Sequence, residues 1–176
     1  SASALDSLAL SPGFDFEGAA YTNPIRNSLF LSEENTPAVH EYDLATGVSL
    51  QTISAPAVFS NIVSNRGFES LTRSVGGTTM WVANEEALTV DGSPATTTSG
   101  TTVRLQQLLV EGNNVSLGAQ YAYQVEPIHA NGVLSQRSGL VDLVALPDGN
   151  VLALERSFAA LGSPTFLIRI YQIDFT

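Results

Sequence analysis

Phe68-Glu69-Ser70-Leu71-Thr72, a turn at Gly76-Gly77, Trp81-Val82-Ala83-Asn84-Glu85-Glu86 and then Val103-Arg104-Leu105-Gln106-Gln107-Leu108 decide the fold of this chain. The stretch reads as strand, turn, strand, loop, strand, because short β-branched and aromatic runs alternate with Gly-rich breakers. Upstream, Phe16-Glu17-Gly18-Ala19-Ala20, Leu29-Phe30-Leu31-Ser32-Glu33-Glu34 and Val39-His40-Glu41-Tyr42-Asp43-Leu44 repeat the pattern. Downstream it recurs as Leu140-Val141-Asp142-Leu143-Val144, a turn at Pro147-Asp148-Gly149, Val151-Leu152-Ala153-Leu154-Glu155-Arg156 and Ile168-Arg169-Ile170-Tyr171-Gln172-Ile173. Repeats of roughly 40–50 residues built from short strands are the signature of propeller blades.

A fourth strand follows in two of the units, Val48 to Ile53 in the first and Val115 to Val125 in the second. The third unit lacks one, while a strand-like segment, Ala4 to Leu10, precedes the first. We therefore expect an all-β, β-propeller-like module over residues 1–176. Its three four-stranded antiparallel blades span about 14–54, 66–126 and 138–176, the last completed by 4–10. Three blades do not close a ring, since propellers have about four to eight. The expectation is a part of a larger ring in a longer parent chain, or closure by a homo-oligomer, two copies giving six blades.

Composition narrows the function. The net charge is −10, and the seven basic residues are all Arg. An acidic surface repels phosphate backbones, so nucleic acid is not an expected partner, and divalent cations are the natural counter-charge. No apolar run reaches the roughly 18 residues of a membrane span. Cysteine is absent, which excludes disulfides and thiolate metal sites. The small residues Ser1-Ala2-Ser3-Ala4 fit an export cleavage site, giving a periplasmic or extracellular expectation.

In a blade, the loop into strand one and the loop out of strand two share one face of the disc. Glu17 and Glu69 near the start of strand one, and Glu33, Glu85 and Glu155 at the end of strand two, are thus expected to crowd one rim. Carboxylates held this close must be protonated, paired with Arg or bridged by a cation. Hard oxygen ligands without Cys or paired His favour calcium over zinc. Arg156, with Arg66 and Arg137 from the inter-blade loops, is placed to hold an anion, a small ester, through its planar fork. The same Glu residues can instead accept backbone N–H bonds between blades, needing no ion. Glu34 and Glu86, as second carboxylates, point to the opposite face of a strand. His40, between Val39 and Glu41, reads as a surface residue, and His129 lies in the linker between units two and three. No Gly-x-Ser-x-Gly elbow is present.

The run Asn65-Arg66-Gly67-Phe68-Glu69-Ser70-Leu71 with Trp81-Val82-Ala83-Asn84-Glu85-Glu86 and Asp91-Gly92 resembles the bacterial phytase-like family described as having esterase-like activity. Ser138-Gly139-Leu140-Val141-Asp142-Leu143, Leu146-Pro147-Asp148-Gly149, Leu154-Glu155-Arg156-Ser157-Phe158 and Ile168-Arg169-Ile170-Tyr171 look like that family's next segment. The resemblance runs from about Phe14 to the end and implies an exported propeller-like protein, with members generally longer than this chain. It carries over no catalytic residue. Two functions follow as expectations: a metal-assisted hydrolase of phosphate or carboxylic esters, or a non-catalytic propeller serving as an interaction or assembly platform.

Overall fold

The computed structural model describes residues 9–10, 13–23, 25–132, 135–160 and 162–175. Their strands form three antiparallel sheets. The first sheet contains β1 (Phe16–Tyr21), β2 (Ser28–Glu33), β3 (Ala38–Asp43) and β4 (Ser49–Ser54) in sequence order. A short 3-10 helix, Ala57–Asn61, leads to the second sheet: β5 (Phe68–Arg73), β6 (Thr79–Asn84), β7 (Thr101–Glu111) and β8 (Asn114–Val125). The third has β9 (Gln136–Ala145), β10 (Val151–Ala160) and β11 (Pro164–Ile173). No helix among the described residues is long and apolar enough to cross a membrane.

The expected fourth strand of the third sheet, Ala4–Leu10, lies outside the described residues except for Ala9 and Leu10, which are not in a strand. Among the described residues β11 is thus an edge strand, with Phe166, Ile168 and Ile170 exposed. The three sheets stand in a row and, among the described residues, do not close into a ring.

The second sheet, between the other two, uses the two-residue alternation of its strands to bury both faces of β6. Met80 and Val82 of β6 face the first sheet and pack with Ala20, Phe30 and Val39. Trp81 and Ala83, the alternate residues, face the third sheet and pack with Leu140, Leu143, Val151 and Ala153. The first strands of the sheets stand side by side, β1 against β5 and β5 against β9. This brings the starts of β1, β5 and β9 to one edge of the assembly, together with the ends of β2, β6 and β10.

All three first strands carry a β-bulge at that edge. Register shifts between Phe16 and Ala19 in β1 and between Phe68 and Ser70 in β5. In β9 it shifts opposite Leu154 and Glu155, leaving Val141 as the extra residue. A bulge breaks strict alternation and re-aims the side chain of the inserted residue. The re-aimed residues are Glu17, Glu69 and Val141.

Candidate functional site: a carboxylate cluster at the sheet junction

The bulges turn Glu17 and Glu69 toward the residues that follow β2 and β6. Ligand oxygens of Glu34, Glu69 and Glu85 lie within 4.8 Å of one another, and so do those of Asp15, Glu17 and Glu34. Glu34 belongs to both groups and links them into one carboxylate cluster. Its side chain is almost sealed, with 1% exposure, and its Oε1 has no hydrogen-bond partner. Burial, then the neighbouring Glu17, Asp15 and Glu85, push the Glu34 carboxyl up to about 7, against the pull of Arg66. Glu69 is pushed up to about 7 by burial and then by Glu85, Glu17 and Glu34, against Arg156. Glu85 is raised by burial as well, although Arg66 and Arg156 oppose this.

The three arginines singled out from sequence do come together. Arg66 lies 3.1 Å from Glu85 and 3.3 Å from Glu86, Arg137 is 2.9 Å from Glu86, and Arg156 is 3.1 Å from Glu85. The three guanidinium groups thus gather on Glu85 and Glu86. Arg137 and Arg156 remain nearly half exposed, so their outer N–H groups stay open to solvent and to an anion.

Two of the expected carboxylates are elsewhere, and the register explains why. Phe16 pairs with Glu33, Phe68 with Asn84, and Leu140 with Glu155. Structurally equivalent positions are therefore Glu33, Asn84 and Glu155 on one face, and Glu34, Glu85 and Arg156 on the other. The cluster draws on the second set, so Glu34 takes the place expected for Glu33. Glu33 is buried on the far face, where it accepts the Thr36 backbone N–H at 2.8 Å. Glu155 is fully buried between the second and third sheets, accepting the Tyr123 hydroxyl at 2.7 Å and the Glu126 N–H at 3.1 Å. Those partners give Glu155 a structural role in joining sheets.

His40, expected at the surface, is buried beneath Phe14, with ring centroids 4.5 Å apart. His129 pairs through Nδ1 with Ser157 Oγ at 2.8 Å, and through Nε2 with Thr165 at 3.1 Å. Ser157 is fully buried, and the two bonds pin the linker to the third sheet.

A hollow of about 700 Å³ beside Arg26, Glu41, Gln51 and Asn113 is a different kind of place. There Glu41 is gripped by Arg26 at 2.5 and 2.6 Å and by Gln51 at 2.6 Å, with Ser28 also donating to it. Burial would raise the Glu41 carboxyl, but these bonds outweigh it and hold it below its ordinary range. Arg26 also donates to the Gly112 and Asn113 carbonyls, which ties the first sheet to the β7–β8 hairpin. This cluster is a latch with its charges already matched.

The bulge-borne Glu pair, the acidic second-strand ends and the arginines around them lie within one family's sequence pattern. A family model, Phytase-like, described as "Esterase-like activity of phytase", matches residues 7–176. The chain belongs to the phytase-like family. A search of curated proteins found no match. Within this phytase-like chain, Glu34 and Asp15 are the cluster's members that sequence reasoning did not select. The available signal was the pairing of each second strand with its first: counted back from Phe16, Phe68 and Leu140, it places Glu34 opposite Glu85.

Proposed function

We propose that this phytase-like module is a metal-assisted hydrolase of phosphate or carboxylic esters, with the carboxylate cluster as its cation site. The observation that carries the reading is Glu34: a nearly sealed carboxylate with an unpartnered oxygen, shared by two groups of three close carboxylates. Leaving such a charge buried and unmatched is costly, and a divalent cation removes the cost. Glu34, Glu69 and Glu85, with Asp15 and Glu17 beside them, would hold the ion. All are hard oxygen donors of irregular arrangement, which suits Ca²⁺ with its six to eight ligands. A bound cation supplies polarisation of the ester and activation of water. Arg66, Arg137 and Arg156 receive and orient the anionic part of the substrate through charge-assisted hydrogen bonds.

The broader reading is a β-propeller-like assembly, part of a longer chain or closed by further copies, acting in the periplasm or outside the cell. The propeller-like part of this reading is supported by the repeat of one sheet plan and of one contact at the two junctions, Gly67 on Glu34 and Gly139 on Glu85.

One observation favours the rival, a non-catalytic platform. Glu85 and Glu86 are already ion-paired with three arginines, so the junction of the second and third sheets needs no ion. Calorimetric titration with CaCl₂ at pH 8 separates the two. The hydrolase reading expects saturable binding that falls at least tenfold in Glu34→Gln and is kept in Glu33→Gln. Calcium-dependent cleavage of p-nitrophenyl phosphate or p-nitrophenyl acetate should follow the same order. Absence of binding, or equal binding by Glu34→Gln, leaves the platform.

A further inference from the structure

Glu33 turns to the opposite face of β2 from Glu34 and lines a second hollow, of about 330 Å³. The turn after β2, strands β3 and β4 and the 3-10 helix enclose it, and Phe14 stands at its rim. Much of its wall is carbon, contributed by Pro37, Ala38, Ala55, Ala57 and Phe59. Small-molecule sites have this size and character: mostly apolar, with a few fixed polar groups.

The fixed polar group here is His40. The residue is 6% exposed, its Nδ1 is engaged with Thr52 Oγ1 at 3.1 Å, and its Nε2 has no hydrogen-bond partner. A buried ring nitrogen without a partner carries a desolvation cost that a ligand's hydrogen bond removes. Burial holds the His40 pKa below its ordinary value, so the imidazole in the hollow's wall is neutral near pH 7. Phe14 and Phe16 stand 4.5 and 5.7 Å from its ring, so its surroundings are aromatic. No cationic side chain lines the hollow among the described residues, and Glu33 does, which disfavours an anion.

We propose that this hollow binds a small uncharged aromatic alcohol, a phenol, whose hydroxyl hydrogen-bonds to His40 Nε2 and whose ring lies against the Phe14–His40 wall. A hydroxyl both donates and accepts, so it meets Nε2 in either imidazole tautomer. The site lies across β2 from the carboxylate cluster and does not depend on the cation reading.

The test is titration of the metal-free protein with phenol, followed by calorimetry and by the ¹⁵N resonances of the His40 ring. Saturable binding with a shift at His40 Nε2 is expected. His40→Phe, which keeps an aromatic ring and removes the nitrogen, should weaken binding at least tenfold, the usual scale for losing one well-made buried hydrogen bond. Ala57→Phe, which fills the hollow from an exposed position on the 3-10 helix, should abolish it without touching the core. Benzoate should bind more weakly than phenol, and Glu34→Gln should bind phenol as the parent protein does. The assignment is overturned if phenol fails to saturate the parent protein, if His40→Phe or Ala57→Phe binds phenol equally well, or if benzoate binds as tightly.

Discussion

Gly67 rests directly against the backbone carbonyl of Glu34, so closely that a β-carbon at position 67 would overlap the oxygen. One sheet further on, Gly139 repeats the relationship with Glu85, where a β-carbon would stand 2.7 Å from Cγ. Leu140 N–H closes this second contact with a 3.0 Å bond to the Glu85 carbonyl. The residue that ends one sheet's second strand is thereby held against the start of the next sheet's first strand. The same contact that joins the sheets also positions the carboxylates.

Gly67→Ala should accordingly force the first two sheets apart. Overpacking of this kind costs about 1–3 kcal/mol, which for a chain of this size lowers the melting temperature on the order of 5 °C. Thermal unfolding followed by circular dichroism measures it. Gly92→Ala gives the comparison, because a β-carbon there meets no atom within 4 Å and bears only the strain of the glycine's positive φ.

The pH dependence of the metal-free protein should be unusual for an acidic chain. Glu34 and Glu69 have folded pKa values near 7, above their ordinary 4.5. The folded state therefore binds more protons than the unfolded state between those values, and stability falls as pH rises through this window. Melting temperature should decline from about pH 5 to pH 8, and Glu34→Gln should flatten the decline. Calcium added at pH 8 should restore the lost stability if the cluster binds it. A profile that is flat in the parent protein contradicts the crowding of these carboxylates.

Arg26→Ala should be among the more damaging single changes outside the junction. It leaves Glu41 buried with its charge unmatched, a loss of about 3–5 kcal/mol for a buried pair. Because the Glu41 carboxyl is held below its ordinary range, the latch stabilises the fold at neutral pH and fails as pH drops through its folded pKa. Urea unfolding at pH 7 should show the full loss, and the gap between parent and variant should narrow in acid.

Trp81, the single tryptophan of the chain, is stacked on Phe175 at 4.2 Å with an interplanar angle of 2°, and Tyr121 meets both edge-on. Phe175→Ala should shift the tryptophan emission to longer wavelength and cost about 1–2 kcal/mol. Phe166→Ala, on the exposed edge strand, should change neither.

The sheet plan was readable because its signals are local. Apolar alternation marked the strands, and Pro147-Asp148-Gly149 marked a turn that the Gly149 N–H closes onto Leu146 at 3.2 Å. The starts at Phe16 and Phe68 coincide with β1 and β5. What escaped was register. The three hairpins differ in turn length, so matching Glu33 with Glu85 and Glu155 by residue type slid the second unit by one place, and one place exchanges the faces of a strand. The bulges at Glu17 and Glu69 were equally silent, since an inserted residue looks like any other until its partner strand is known. His40 misled for a related reason: alternation showed a polar position on a strand but not that Phe14 and Phe16 would cover that face.

Glu34, Glu85 and Arg156 occupy one place in three successive copies of a duplicated unit, and only the third has reversed its charge. Backbone pairing with the first strand sets where that place is, whatever side chain it carries. Divergence among the copies can therefore retune the electrostatic sign of the cluster one unit at a time while the scaffold stays the same. The three sheets thus carry three independently mutable charges at one structural place, and each can change without disturbing the strand pairing that sets it.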